Sequence, residues 1–199
     1  MAPRATRLRT LVRQAKACQI CAPSLGHEPR PVFSAHPEAK LLLVGQAPGA
    51  KVHASGVPWA DASGKRLRSW LGLDDETFYD ETQVAILPMG FCFPGTGKSG
   101  DLPPRPECAP KWMQPLVDQM PKLQLTLLIG MYAQRWFLKE SAKATLTKTV
   151  EAWQDYTAHG YFVLPHPSPR NGIWLRRNPF FEAELVPLLQ SKVADALGH

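Results

Sequence analysis

The four cysteines are the residues of this chain with the most specific chemistry, and they fall into two pairs. Cys18 and Cys21 form a C-x-x-C pair, and Cys92 and Cys108 stand further on with fifteen residues between them. Four thiolates drawn from two distant segments suit a tetrahedral zinc site or a 4Fe-4S cluster. The residues alone do not separate these two, and four ordinary buried thiols with no cofactor are the plainer alternative. A disulfide framework is not expected, because the Arg-rich start of the chain lacks the apolar stretch of a secretion signal. A thioredoxin-like pair would sit at a strand-to-helix junction and would leave Cys92 and Cys108 without a role.

Two further segments combine polar or aromatic side chains with a stiff backbone. Gln46-Ala47-Pro48-Gly49 follows the apolar run Leu41-Leu42-Leu43-Val44, and Gly56-Val57-Pro58-Trp59 lies shortly after it. Pro48 fixes φ and Gly49 reaches conformations closed to other residues, so this turn can bring backbone amides against a planar ligand or a phosphate. Trp59 offers a flat face on which a base could stack, though a core role suits it as well. His166-Pro167-Ser168-Pro169-Arg170-Asn171 follows a second apolar run, Tyr161-Phe162-Val163-Leu164. Its prolines stiffen the loop, Ser168 can donate to a phosphate and Arg170 can neutralise one. Gly95-Thr96-Gly97-Lys98-Ser99-Gly100 is set aside as a nucleotide loop. Cys92 occupies the position of the first Walker glycine, and no helix pattern follows.

These loops need elements to hold them. Leu8, Leu11, Val12 and Ala15 recur at helical spacing with Arg4, Arg7, Arg9, Arg13 and Lys16 interleaved, which predicts a first helix with a basic outer face. A Pro-rich linker is expected over 23–37. Strands are expected at 40–44, 83–87, 123–129 and 161–164, and helices at 65–71, 112–120, 132–139 and within 179–197. Ser63 or Asp61 is a credible N-cap and Gly72 a credible C-cap for the helix at 65–71. Segments 45–64 and 89–110 read as long irregular loops, the latter unusual in a compact domain unless something holds it. Strands with continuous apolar runs, alternating with helices, indicate a parallel sheet covered on both faces. Two loops at the carboxyl edge of such a sheet stand where open α/β folds place ligands.

With 199 residues, one domain over 1–199 is expected. The net charge of +6 favours a polyanionic partner, nucleic acid first, although a solvated basic surface explains it too. No apolar run is long enough to span a membrane.

Taken together, the segments Gly45–Gly49, Gly56–Lys65 and His166–Asn171 resemble the uracil-DNA glycosylase superfamily over most of the chain. The cysteine spacing is similar to its iron–sulfur (family 4) branch, and His-Pro-Ser-Pro-Arg-Asn resembles the single-strand-selective monofunctional branch. The resemblance implies a three-layer α/β/α fold with a central four-stranded parallel sheet, and a monofunctional enzyme hydrolysing the N-glycosidic bond of uracil or another deaminated base in DNA. It implies His166 as donor to the departing base and Trp59 as the stacking platform. Gln46 and the backbone of Ala47 would line the pocket and place water. Pro48, Gly49, Ser168, Pro169 and Arg170 would grip DNA, and Cys18, Cys21, Cys92 and Cys108 would hold a 4Fe-4S cluster, with zinc as the alternative. A cytoplasmic monomer acting on damaged DNA is expected.

Two departures stand out. Ala47 occupies the place of the water-activating Asp found in other families, as it does in family 4. Pro88 stands where family 4 has an Asn that reads the uracil edge. Asn171, Asn178 or Gln46 could supply amide recognition instead. Pro88 also motivates the alternative of a damaged-DNA-binding module whose chemistry has changed. A weaker reading is a redox-sensing metalloprotein.

Overall fold

In a computed structural model, which describes residues 3–98 and 100–198, four strands form a wholly parallel sheet. These are β1 (Leu41–Val44), β2 (Val84–Ile86), β5 (Leu125–Ile129) and β6 (Tyr161–Leu164), in the order β2-β1-β5-β6. All four expected strands are present, and β6 matches its expected limits at both ends. The pleat sends alternate side chains of each strand to opposite faces. Leu41 and Leu43 pack with Leu67 and Trp70 of α4 (Ala62–Leu71) and Leu189 and Val193 of α11 (Val186–Leu197). Leu42 and Val44 pack on the other face, with Leu8 of α1 (Arg4–Lys16), Met113 and Leu116 of α6 (Cys108–Val117) and Ala133 of α7 (Met131–Leu138). Both faces are thus sealed by helices, which explains why the strands read as unbroken apolar runs. The fold is the expected three-layer α/β/α arrangement. Among the described residues, no helix is long and apolar enough to cross a membrane.

The connections differ more from the sequence expectation. The loop 45–64 contains a helix, α3 (Ala50–Ser55), and α4 begins at Ala62 instead of residue 65. Asp61 is its cap, accepting from the Gly64 amide at 2.8 Å, while Ser63 is buried and caps nothing. Gly72 closes α4 in the left-handed conformation, as expected. Residues 89–110 are not irregular throughout: Thr96–Gly97 (β3) and Gly100–Asp101 (β4) pair as a small antiparallel hairpin, and α6 starts already at Cys108. The Pro-rich linker holds α2 (Ala22–Leu25), and Ser34 bridges to Ile86 at the sheet edge. Short helices α5 (Asp75–Tyr79), α8 (Leu146–Glu151), α9 (Gln154–Thr157) and α10 (Gly172–Arg177) were not expected. The last helix is preceded by a π-helical turn, Phe181–Leu185.

Candidate functional site

The strand order reverses beside β1. The chain leaves β1 toward β2 on one side, whereas β5 leads to β6 on the other. Connections that diverge in this way open a crevice at the carboxyl edge. A cleft of about 480 Å³ lies there, and both expected loops line it. Gln46, Ala47, Pro48 and Gly49 enter it from β1, and His166, Ser168, Arg170 and Asn171 from β6. Trp59 is also in its wall, whereas Pro169 is not. Asn178 is likewise absent from the lining, and its amide donates to the Trp174 carbonyl.

The β1 turn is fastened to the segment after β2. Met89 donates to the Gly45 carbonyl at 2.9 Å and Gly90 to the Gln46 carbonyl at 3.0 Å. Pro88 lies between Leu87 and Met89, whose amides bond to Leu43 and Gly45, so the amide that proline lacks is not called on by β1. Pro88 forms part of the apolar cleft floor with Val32, Val52 and Ile86. The Gln46 side chain reaches the Leu102 carbonyl at 3.3 Å, tying this turn to the hairpin segment.

Trp59 is held in a conformation that its residue type disfavours. Its φ is +56°, in the left-handed region where bulky side chains are rare. Such strain persists only where surroundings enforce it, and it clusters at functional sites. Two glycines do the enforcing. A Cβ at Gly64 would lie 1.7 Å from the Trp59 carbonyl oxygen, and a Cβ at Gly45 would lie 2.8 Å from the indole ring. The Trp59 carbonyl also accepts from Arg68 at 3.3 Å. The indole therefore lies against the end of β1, with its centroid 5.6 Å from the His166 ring.

His166 is positioned from three sides. Gly130, at the end of β5, would place a Cβ 3.6 Å from that of His166, so the histidine loop crosses directly over β5. Asn171 donates to the His166 carbonyl at 2.7 Å, and Arg66 of α4 reaches the Pro167 and Ser168 carbonyls at 3.4 and 3.2 Å. The Ser168 amide donates to Nδ1 of the imidazole at 3.2 Å. An amide can only donate, so Nδ1 is the acceptor and the neutral ring carries its proton on Nε2. Burial lowers the imidazole below its ordinary value, partly offset by the Asp61 carboxylate. The cleft thus contains a neutral imidazole with an N–H donor on Nε2, beside an aromatic face.

Sequence reasoning missed two groups here. Arg66 carried no motif, because its task is to hold carbonyls about a hundred residues away. Asp101 lines the cleft through the hairpin, which had no periodicity to betray it.

The four cysteines line a second, much smaller cavity of about 20 Å³, where the end of α1 meets the start of α6. The Phe91 amide donates to Cys108 Sγ at 3.3 Å and the Trp112 indole to Cys18 Sγ at 3.4 Å. Burial pushes the Cys92 thiol up to about 11 and Cys108 up to about 12, so both are protonated near neutrality. No cluster of three or more His, Cys, Asp or Glu side chains among the described residues has the geometry of a metal site.

Comparison with known families agrees with the geometry. The family model described as "UDG: Uracil DNA glycosylase superfamily" matches residues 32–190, a span that includes the sheet and both cleft-forming loops. His166 and Trp59, at the carboxyl edge of the sheet, both fall within that span. The chain belongs to the uracil-DNA glycosylase superfamily.

Proposed function

We propose that the protein is a monofunctional DNA glycosylase that hydrolyses the N-glycosidic bond of uracil or another deaminated base. The observation that carries this reading is the tautomer of His166. Breaking the bond leaves negative charge on the departing base, and a pre-placed N–H donor stabilises that charge where it develops. With Nδ1 occupied by the Ser168 amide, Nε2–H is the donor. A neutral ring suits the task, because its proton is shared with the leaving base and not lost to solvent. Trp59 supplies the stacking face for a nucleotide turned out of the helix. Ser168 and Arg170 lie at the cleft mouth, where they would contact the DNA backbone with Pro48, Gly49 and Pro169.

Cys18, Cys21, Cys92 and Cys108 would hold a 4Fe-4S cluster, zinc being the alternative. An all-sulfur donor set around one cavity, with N–H groups aimed at two of its sulfurs, supports a thiolate-bound group. Binding would require the buried thiols to lose their protons and converge. Such a group would be structural, clipping α1 to the segment before α6.

Pro88 favours a second reading. The apolar floor it forms offers no side-chain amide to a base edge, as suits a module that binds damaged DNA without cutting it.

A base-excision assay separates the two. Oligonucleotides carrying uracil, hypoxanthine or xanthine, single- and double-stranded, are incubated with the protein and then treated with alkali. The glycosylase reading expects strand scission only after alkali. Tight binding with no released base would move the protein to the binding-module reading.

A further inference from the structure

We infer that Asp101 is a catalytic residue of this cleft, the carboxylate that activates the attacking water. The inference rests on the glycosylase reading. Hydrolysis of a glycosidic bond needs a donor toward the leaving group and an acceptor for the proton of the incoming water. His166 supplies the first. Of the residues lining the cleft, two carry carboxylates, Asp61 and Asp101. Asp61 already spends one oxygen on the start of α4, where Oδ1 accepts from the Gly64 amide at 2.8 Å, and its charge acts on His166.

Asp101 is differently placed. Its carboxylate makes no hydrogen bond or ion pair with another described residue, so its lone pairs are open to a water. It reaches the cleft because two glycines let it. A Cβ at Gly49 would stand 3.3 Å from Asp101 Oδ2, which brings the carboxylate against the β1 turn. Gly100, at φ +139°, would meet the Arg170 guanidinium at 2.0 Å if it carried a Cβ, so the hairpin seats against the histidine loop. The hairpin therefore lies between the two loops, and Asp101 stands opposite a turn that has only Ala47 to offer. The carboxylate that the β1 turn lacks arrives from β4.

In the step inferred, the water oxygen bonds to C1′ as the C1′–N bond breaks. The bonding pair leaves with the base, which His166 Nε2–H stabilises by a hydrogen bond. Asp101 accepts the proton from the water, and solvent protonates the released base anion.

The test is single-turnover base release by the full chain, using the lesion that the wild type cleaves. Asp101→Asn should slow release by about 10²–10⁴-fold, the usual range for a general base, with DNA affinity and melting temperature retained. Added formate or azide should partly restore Asp101→Ala, an effect no structural role produces. A wild-type rate in Asp101→Asn, or an Asp101→Ala variant that formate and azide leave slow, overturns the inference while the glycosylase reading stands. A wild type inert on every lesion removes that reading, and the inference with it.

Discussion

The cleft and the cysteine pocket share one stretch of chain, residues 88–108, and treat it in opposite ways. In the cleft, about 480 Å³ is open, and His166 and Asn171 are held by hydrogen bonds to backbone amides and carbonyls. In the cysteine pocket, about 20 Å³ remains and the four partly buried cysteines sit among helix ends. The cleft is posed on strand ends, so its polar atoms have fixed directions while water and substrate can enter. The cysteine pocket is too small for a substrate, and burial keeps Cys92 and Cys108 as neutral thiols unless a cation replaces their protons. One region is built to act on something that comes and goes, and the other to keep two segments together.

Substitutions in the two regions should therefore fail differently. The largest effect on turnover is expected from His166→Ala. Losing a donor of this kind costs about 10²–10³-fold in rate, and DNA affinity measured by titration should change little. Equal losses in both would erase the catalytic side of the comparison. Gly64→Ala comes next. Its new Cβ would collide with the Trp59 carbonyl, a backbone atom that cannot swing aside. Overpacking of this sort costs about 1–3 kcal/mol, so both the melting temperature and base release should fall, whereas Gly64→Ala in a cleft without Trp59 strain would be silent. Cys108→Ser should lower the melting temperature and abolish any visible iron–sulfur absorbance, yet leave the rate per folded molecule within a few-fold. A Cys108→Ser protein with normal stability and lost turnover would place the cysteines in the chemistry.

The smallest effect concerns pH. Burial holds native His166 below the ordinary value of about 6.5. As pH falls past about 6.5 the unfolded chain takes up a proton that the native histidine refuses, so the folded state loses stability toward acid and keeps it above. His166→Gln should flatten that part of the curve in thermal melts on either side of about pH 6.5. An unchanged slope would mean that the ring is not desolvated, and the cleft would then be wetter than the comparison requires.

The sheet was legible because its four strands are buried on both faces and so read as uninterrupted apolar runs, Leu41–Val44 above all. The cleft was legible in part for the same reason, since two motifs that each end such a run must emerge at one edge. Helices α8, α9 and α10 escaped notice because four to six residues are too few to display a 3.6 period. Asp101 and Arg66 were invisible for a different reason. Each acts across a gap in sequence that only folding closes, and the two-residue strands of the hairpin have no pattern of their own. The strained backbone of Trp59 was equally hidden, since it follows from Gly45 and Gly64 leaving room for it.

The segment that leaves Pro88 passes Cys92, carries Asp101 to the cleft and returns to Cys108. Both of its feet stand in the cysteine pocket while its tip stands in the cleft. It is an arm with a fixed shoulder, and whatever loosens the shoulder is felt at the hand. Thiol oxidation or loss of a bound metal would not touch His166 or Trp59, yet would let the Asp101 carboxylate drift from its place beside Gly49. Damage to the molecule's anchor would therefore be registered first as lost stability, and at the far end of the arm only as a few-fold drift in rate.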